Sequence, residues 1–355
     1  MSKQMNRRTF LSIAGIAGIA SATALAGCSG NSGSAGSSAT SSDANSAPSG
    51  QSADQSSAAS ASGQGKTLTV GTLATEDLLP LWVAQSEGLF AKNALDVQII
   101  PFQSATELIS GVSSGEVDLA MTDIMVTASI FASGVDVQMQ WVTLGTTPEQ
   151  GRFGIMAGPN SSISKLEDLA GVPIGVGSNT ILEYVMDKLL EGAGVSADDI
   201  VVEELQKLPV RYQAMASGEV AAAALPGTLL ALGEASGCKL IADDTKGQNL
   251  SQSVMIVRGD ALADAAAIGQ IELLEDVWDE AVELVNAKPE SYRAVLVANA
   301  NLPEEIAETY PISTYPTVQL PTAAMVDPVL EWMEQKGYLT KPLAYDEATG
   351  TFAER

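Results

Sequence analysis

Five short polar stretches sit where apolar runs give way to helical periodicity: Thr75-Glu76-Asp77, Gln103-Ser104-Ala105-Thr106, Thr122-Asp123, Ser178-Asn179-Thr180 and Pro226-Gly227. At a strand-to-helix junction the first helical turn presents unpaired N–H groups, and neighbouring hydroxyl, amide and carboxylate side chains add donors and acceptors. Such residues also serve as plain helix caps, so a structural role competes with a binding role at each position. The candidate solute contacts from these loops are Thr75, Glu76, Gln103, Ser104, Thr122, Asp123, Asn179, Thr180, Pro226 and Gly227. Two more come from helices. Arg211, in Pro209-Val210-Arg211-Tyr212, suits a carboxylate, sulfonate or phosphate group, with a surface Arg–Asp pair as the alternative. Tyr184, one residue after Glu183, could stack on a planar ligand, and Asp123 would accept from a ligand's amino groups. Trp82 could stack too, although a place in the core suits it better.

Catalytic chemistry has less to work with. The sequence has no histidine, which removes Ser-His-Asp and Cys-His catalysis and most zinc and copper sites. A carboxylate pair could still act as acid and base, but most of the 43 acidic residues fall on polar helix faces, where solvation is their ordinary role. Gly175-Val176-Gly177 lacks the third glycine and the acidic residue of a dinucleotide fingerprint and reads as a tight loop. The expectation is a binding protein without catalytic residues, cofactor or metal.

The N-terminal segment carries a different signal. Arg7-Arg8 precede an apolar stretch from Leu11 to Ala26, too short to span hydrocarbon comfortably, with small residues at its end. This reads as an export signal, and the paired arginines suggest the twin-arginine route. Leu25-Ala26-Gly27-Cys28 resembles the lipobox of bacterial lipoproteins, which implies cleavage before Cys28 and lipidation of its thiol. Cys238 is then the one remaining cysteine, expected as a small buried hydrophobe at the start of a strand. Residues 28–65 are rich in Ser, Ala and Gly, with no Ile, Leu, Val or aromatic residue, and are expected to be a disordered tether.

The formal charge is −25, and loss of Lys3, Arg7 and Arg8 with the signal takes it to about −28. Nucleic acid is excluded as a partner, since phosphate binding needs clustered Lys and Arg. Anionic lipid heads would not hold this surface, which leaves the N-terminal lipid anchor as the link to the membrane.

From Lys66 onward, short apolar runs alternate with amphipathic helices, the grammar of α/β domains with largely parallel sheets. Strands are expected at 67–71, 97–101, 117–121, 138–144 and 153–157, and in a second unit at 172–176, 201–205, 220–225, 239–242 and 253–257. Helices are expected at 77–90, 105–113, 124–133, 181–191, 210–217 and 226–235, with a further short one capped by a Ser164/Glu167 box. From Asp260 the chain reads as mainly helical, at 273–286, 289–298 and 322–336. This gives a lobe of 66–155 and 258–355, an inserted lobe of 156–257, and a solute cleft at the hinge between them.

Four segments carry a family resemblance. Leu81–Phe90, Ser113–Ala120, Ile163–Gly171 and Ser217–Pro226 occur in the order and spacing of the type II periplasmic-binding-protein superfamily. Within it, the chain resembles the nitrate/sulfonate/taurine and thiamine-pyrimidine-precursor (NMT1/THI5-like) binding proteins. The resemblance implies a two-lobed α/β fold and a monomeric solute receptor, lipid-anchored outside the cytoplasmic membrane, that serves the permease and ATPase subunits of an ABC importer. It also implies a solute of sulfonate, nitrate or pyrimidine-precursor type. An enzyme acting on a pyrimidine-type compound, or a sensory lipoprotein, is the alternative. One departure stands out: many relatives have Glu-Pro or Asp-Pro where this chain has Leu225-Pro226-Gly227, so a polar side chain common in their pockets is missing here.

Overall fold

The computed structural model describes residues 66–355; the expected signal segment, Cys28 and the tether lie outside the described residues. Along the chain, β1 (Leu68–Leu73) leads through a single 3-10 turn into α1 (Leu79–Ser86) and α2 (Leu89–Lys92), then β2 (Val97–Phe102), α3 (Ala105–Ser114), β3 (Leu119–Asp123), α4 (Ile124–Ala132) and β4 (Val137–Leu144). A second unit follows with β5 (Phe153–Ala157), β6 (Pro173–Val176), α5 (Ile181–Gly192), β7 (Val201–Glu204), α6 (Leu208–Ser217), β8 (Ala222–Pro226), α7 (Gly227–Ala235) and β9 (Lys239–Asp243). The chain ends with β10 (Ser253–Arg258), α8 (Gly259–Leu262), α9 (Ala265–Ala287), α10 (Arg293–Asn299), α11 (Glu304–Ala307), α12 (Ala323–Lys336), β11 (Leu343–Asp346) and β12 (Thr351–Glu354).

Two five-stranded sheets repeat one topology. The first runs β2-β1-β3-β10-β4 and the second β7-β6-β8-β5-β9. In each, three strands are parallel and the fourth in spatial order is antiparallel to both neighbours. That antiparallel strand is the one by which the chain changes sheets: β5 belongs wholly to the second sheet and β10 wholly to the first. The crossings therefore fall within residues 145–152 and 244–252, a few residues ahead of the changeovers at 155 and 257 that the sequence suggested. The repeat shows in sequence as well. Ser114-Gly115-Glu116-Val117 and Ser217-Gly218-Glu219-Val220 end α3 and α6 at glycines with φ of +79° and +82°, a left-handed cap that costs glycine little.

Several boundaries differ from expectation for local reasons. The helix expected over 77–90 is three pieces, with Pro80 in the first turn of α1 and a break at Gly88. Ser164 does not form a box with Glu167; its N–H and Oγ bond Asp168 at 3.0 and 2.9 Å, and only a 3-10 turn follows. Helix α9 starts at Ala265, because Asp264 accepts from Ala266 N at 2.9 Å and caps it there. The β11–β12 hairpin was missed in a region read as helical; Phe352 on it packs 5.8 Å from Phe131 of α4.

Helix α9 packs on α1, and with it covers one face of the first sheet, where Trp141 and Trp278 meet at 5.6 Å in a fully buried pair. Trp82 lies in this core, as its sequence setting suggested, and Cys238 is buried just ahead of β9. Each large side chain buried here contributes about 1.5–3 kcal/mol. A second core is continuous from α3 and α4 through the second sheet to α12. The two lobes thus share packed surface around the cleft.

Candidate functional site

The carboxyl ends of the parallel strands in both sheets converge on one cavity lined by residues of both lobes, the kind of place where small ligands are captured. One wall comes from the first lobe, with Leu73, Thr75, Asp77, Ser104, Met121, Thr122, Asp123 and Ser253. The facing wall comes from the second, with Phe153, Thr180, Ile181, Leu182, Gln206, Leu208, Arg211 and Pro226. Helices α3, α5 and α7 start at this cavity, because each follows the loop at the end of a strand.

Arg211 is the dominant charge. Pro209 opens α6 and sets Arg211 in its first turn, 2% exposed. Its guanidinium donates to three backbone carbonyls: Nε to Leu205 O at 2.8 Å, Nη1 to Ala224 O at 3.1 Å and Nη2 to Gln206 O at 3.2 Å. A Cβ on Gly177 would stand 2.7 Å from Nη2, so a glycine is what lets that loop close over the guanidinium. Burial lowers the Arg211 pKa to about 10, with Glu204 opposing the shift, and the group stays charged at neutral pH. It is not the surface Arg–Asp pair offered as its alternative.

Asp123 lies at the seam. Its Oδ1 accepts from Val126 N at 2.7 Å and caps α4, while its Oδ2 accepts from Ile181 N at 3.1 Å, across the cleft at the start of α5. Burial pushes its pKa up to about 6, opposed by these backbone donors. Other bonds cross the same seam: Asn179 Nδ2 to Ser129 Oγ at 2.6 Å, and Lys207 Nζ with Glu107 Oε1 at 2.7 Å. The lobes are closed on the cavity.

Of the twelve residues singled out from sequence, Thr75, Ser104, Thr122, Asp123, Thr180, Arg211 and Pro226 line it. Ser104 also caps α3, accepting from Glu107 N at 3.2 Å, whereas Thr180 Oγ1 donates back to Gly177 O at 2.7 Å and makes no cap bond. Five residues are placed elsewhere. Tyr184 points away, packed edge-on at 5.3 Å against Trp332 of α12, because α5 buries that face against the first lobe. Glu76 accepts from Tyr310 Oη and is buried beside Gly227, which opens α7. Gln103 is exposed, and its N–H donates to Glu107. Asn179 adopts φ +58° and turns to Ser129.

Asp77, Ser253, Gln206 and Phe153 line the cavity without having been singled out. Asp77 stood in a quoted loop. Ser253 and Phe153 are the first residues of β10 and β5, and only the sheet topology brings strand starts to a cleft made mainly of strand ends.

The family model for NMT1/THI5 like proteins matches residues 75–268, which span most of both sheets. The chain belongs to the NMT1/THI5-like family. Its fold is that of type II periplasmic binding proteins, and solved structures share it at low identity. The alkanesulfonate-binding protein SsuA from Xanthomonas axonopodis pv. citri, bound to MOPS, is 20% identical with a TM-score of 0.66, covering 78% of this chain and 95% of that one. The ligand-binding component of an ABC-type import system from Staphylococcus aureus, with zinc bound, is 13% identical with a TM-score of 0.68, covering 79% and 95%. The desulfurization enzyme DSZB also has the fold, at 15% identity and a TM-score of 0.58 over 78% and 94%. No curated protein sequence matches the chain at a significant level. Among the described residues of this NMT1/THI5-like protein, no helix is long and apolar enough to cross a membrane, and no cluster of three potential metal-ligating acids or cysteines occurs.

Proposed function

We propose that this chain is the solute receptor of an ABC importer, capturing a small solute that bears an anionic group by closing its two lobes on it. One observation carries this reading: a buried, charged guanidinium lines the interlobe cavity and, among the described residues, forms no ion pair with a carboxylate. Backbone carbonyls orient three of its N–H groups but do not neutralise its charge, and buried charges are ordinarily compensated. The alkanesulfonate named for SsuA fits the same reading by likeness of fold. Export and anchoring through Cys28 follow from the N-terminal sequence and place capture outside the cytoplasmic membrane. With no histidine in the sequence, the cavity's Ser253–Asp77 hydrogen bond has no imidazole to relay a proton, and a receptor fits the site better than an enzyme.

Thermal-shift and calorimetric titration test this with alkanesulfonates, nitrate, bicarbonate, small carboxylates and thiamine pyrimidines. At least one compound should bind saturably, and Arg211→Lys should weaken it by about tenfold or more, the value of one charge-assisted bond in a rigid fork. A panel with no binder at millimolar concentration overturns the proposal.

A further inference from the structure

We infer that Gly227 is the stop that sets how far the two lobes close, a positioning residue whose bare backbone seats the Glu76–Tyr310 pair of the facing lobe. The inference rests on the capture reading above and concerns the closed state of that same receptor. Gly227 opens α7 in the second lobe, next to the cavity-lining Pro226. Glu76 and Tyr310 belong to the first lobe, so the contact exists only across the seam. A Cβ on Gly227 would stand 2.7 Å from Glu76 Oε1, 2.7 Å from Tyr310 Oη and 3.3 Å from Arg152 O, the first two well inside the distance at which atoms pack without strain. Gly227 is not in the left-handed region, so backbone freedom does not account for a glycine here. Close approach does.

The first-lobe side of the contact is fixed from behind. Tyr310 Oη donates to Glu76, the Glu76 carbonyl accepts from Tyr315 Oη at 2.8 Å, and the Tyr310 carbonyl accepts from Arg293 Nη1 at 2.5 Å. Both side chains are buried, and a packed interior gives them little room to swing aside. The same stretch of chain also holds the first crossing: Gly151 N donates to Ser313 Oγ at 3.3 Å, and Gln150 Nε2 to Thr314 Oγ1 at 3.4 Å. The contact therefore lies beside the pivot, where a small displacement is enlarged across the cleft. A methyl group at position 227 would wedge the lobes apart and lengthen the bond from Ile181 N to Asp123 Oδ2, leaving the solute in a cavity that does not shut.

Calorimetric titration of the full chain uses ethanesulfonate, or the compound of the panel above that binds the wild type more tightly. Gly227→Ala should weaken binding about tenfold or more, because an added methyl that the seam cannot take depletes the closed state in that proportion. Its urea midpoint should stay at or above that of wild type, since the open form accepts alanine in a first helical turn readily. In a Glu76→Ala/Tyr310→Phe background, which lacks both side-chain atoms that the methyl meets, the same substitution should cost less than about threefold. A cost equal in both backgrounds, or none in the first, overturns the stop and leaves capture standing. Amide exchange on the wild type decides if the variants do not fold: peptides containing Gly227 and Tyr310 should each exchange about twofold or more slowly on saturation, and no change at either overturns the stop. If no compound of the panel binds the wild type, capture falls and the stop with it.

Discussion

Glu76→Gln should stabilise the protein, and only at neutral and alkaline pH. Glu76 is 7% exposed, accepts from Tyr310 Oη and sits beside Asp77, and burial followed by that neighbouring charge raises its pKa from 4.5 to about 8. A raised carboxylate pKa means that the folded state holds a proton the unfolded chain releases. Stability from this group is therefore complete below about pH 4.5, falls as pH rises, and levels off above about pH 8. At about 1.4 kcal/mol per pH unit, the full span is about 5 kcal/mol, and about 3 kcal/mol of it is already lost at pH 7. Glutamine keeps an acceptor for Tyr310 and carries no charge, so it escapes this loss. Urea unfolding at pH 4.5, 7 and 9 reads the effect: the variant should match wild type at the first pH, and exceed it by about 2–3 kcal/mol at the second and by more at the third. A difference independent of pH, or a loss of stability at pH 9, refutes a buried protonated Glu76.

Two further substitutions probe the seam. Asp123→Asn leaves one good acceptor for two N–H groups, so it should cost about 1–2 kcal/mol of stability and weaken solute binding about five- to tenfold, because the Ile181 bond exists only across the closed lobes; unchanged affinity in calorimetry contradicts the latch. Lys336 Nζ bridges Glu183 at 2.9 Å and Asp187 at 3.0 Å, both buried on α5, and Lys336→Met should destabilise by about 3 kcal/mol at pH 7. That loss should shrink on acidification as Asp187, whose pKa burial raises, takes up a proton, and a loss that persists undiminished at pH 3 contradicts a charge origin.

The strand–helix alternation is legible from Lys66 onward because parallel strands buried on both faces read as short apolar runs, and because the Ser-Gly-Glu-Val turns after α3 and α6 repeat. The swap of β5 and β10 between sheets is nearly legible, but the crossing points depend on pairing partners far apart in sequence. The C-terminal hairpin escapes notice because Leu343–Asp346 and Thr351–Glu354 are too short and mixed to show a period of two.

At the site, loop position finds Ser104, Thr122, Asp123, Thr180 and Arg211, since a strand-to-helix junction must face the cleft. It cannot say which way a helix turns its fourth residue, and so Tyr184 is misread: Trp332, which buries it, lies about 150 positions away in sequence. The bond that Asp123 takes from Ile181 depends on where α5 arrives across the cleft, and no local pattern encodes that.

Small-angle X-ray scattering on the chain, stripped of co-purified solute by unfolding and refolding, tests most directly that one small charged solute holds the lobes shut. The radius of gyration should be larger without solute, fall on saturation with a compound that binds, and stay large for Arg211→Lys at the same concentration. A radius that is the same with and without a bound compound contradicts capture by lobe closure.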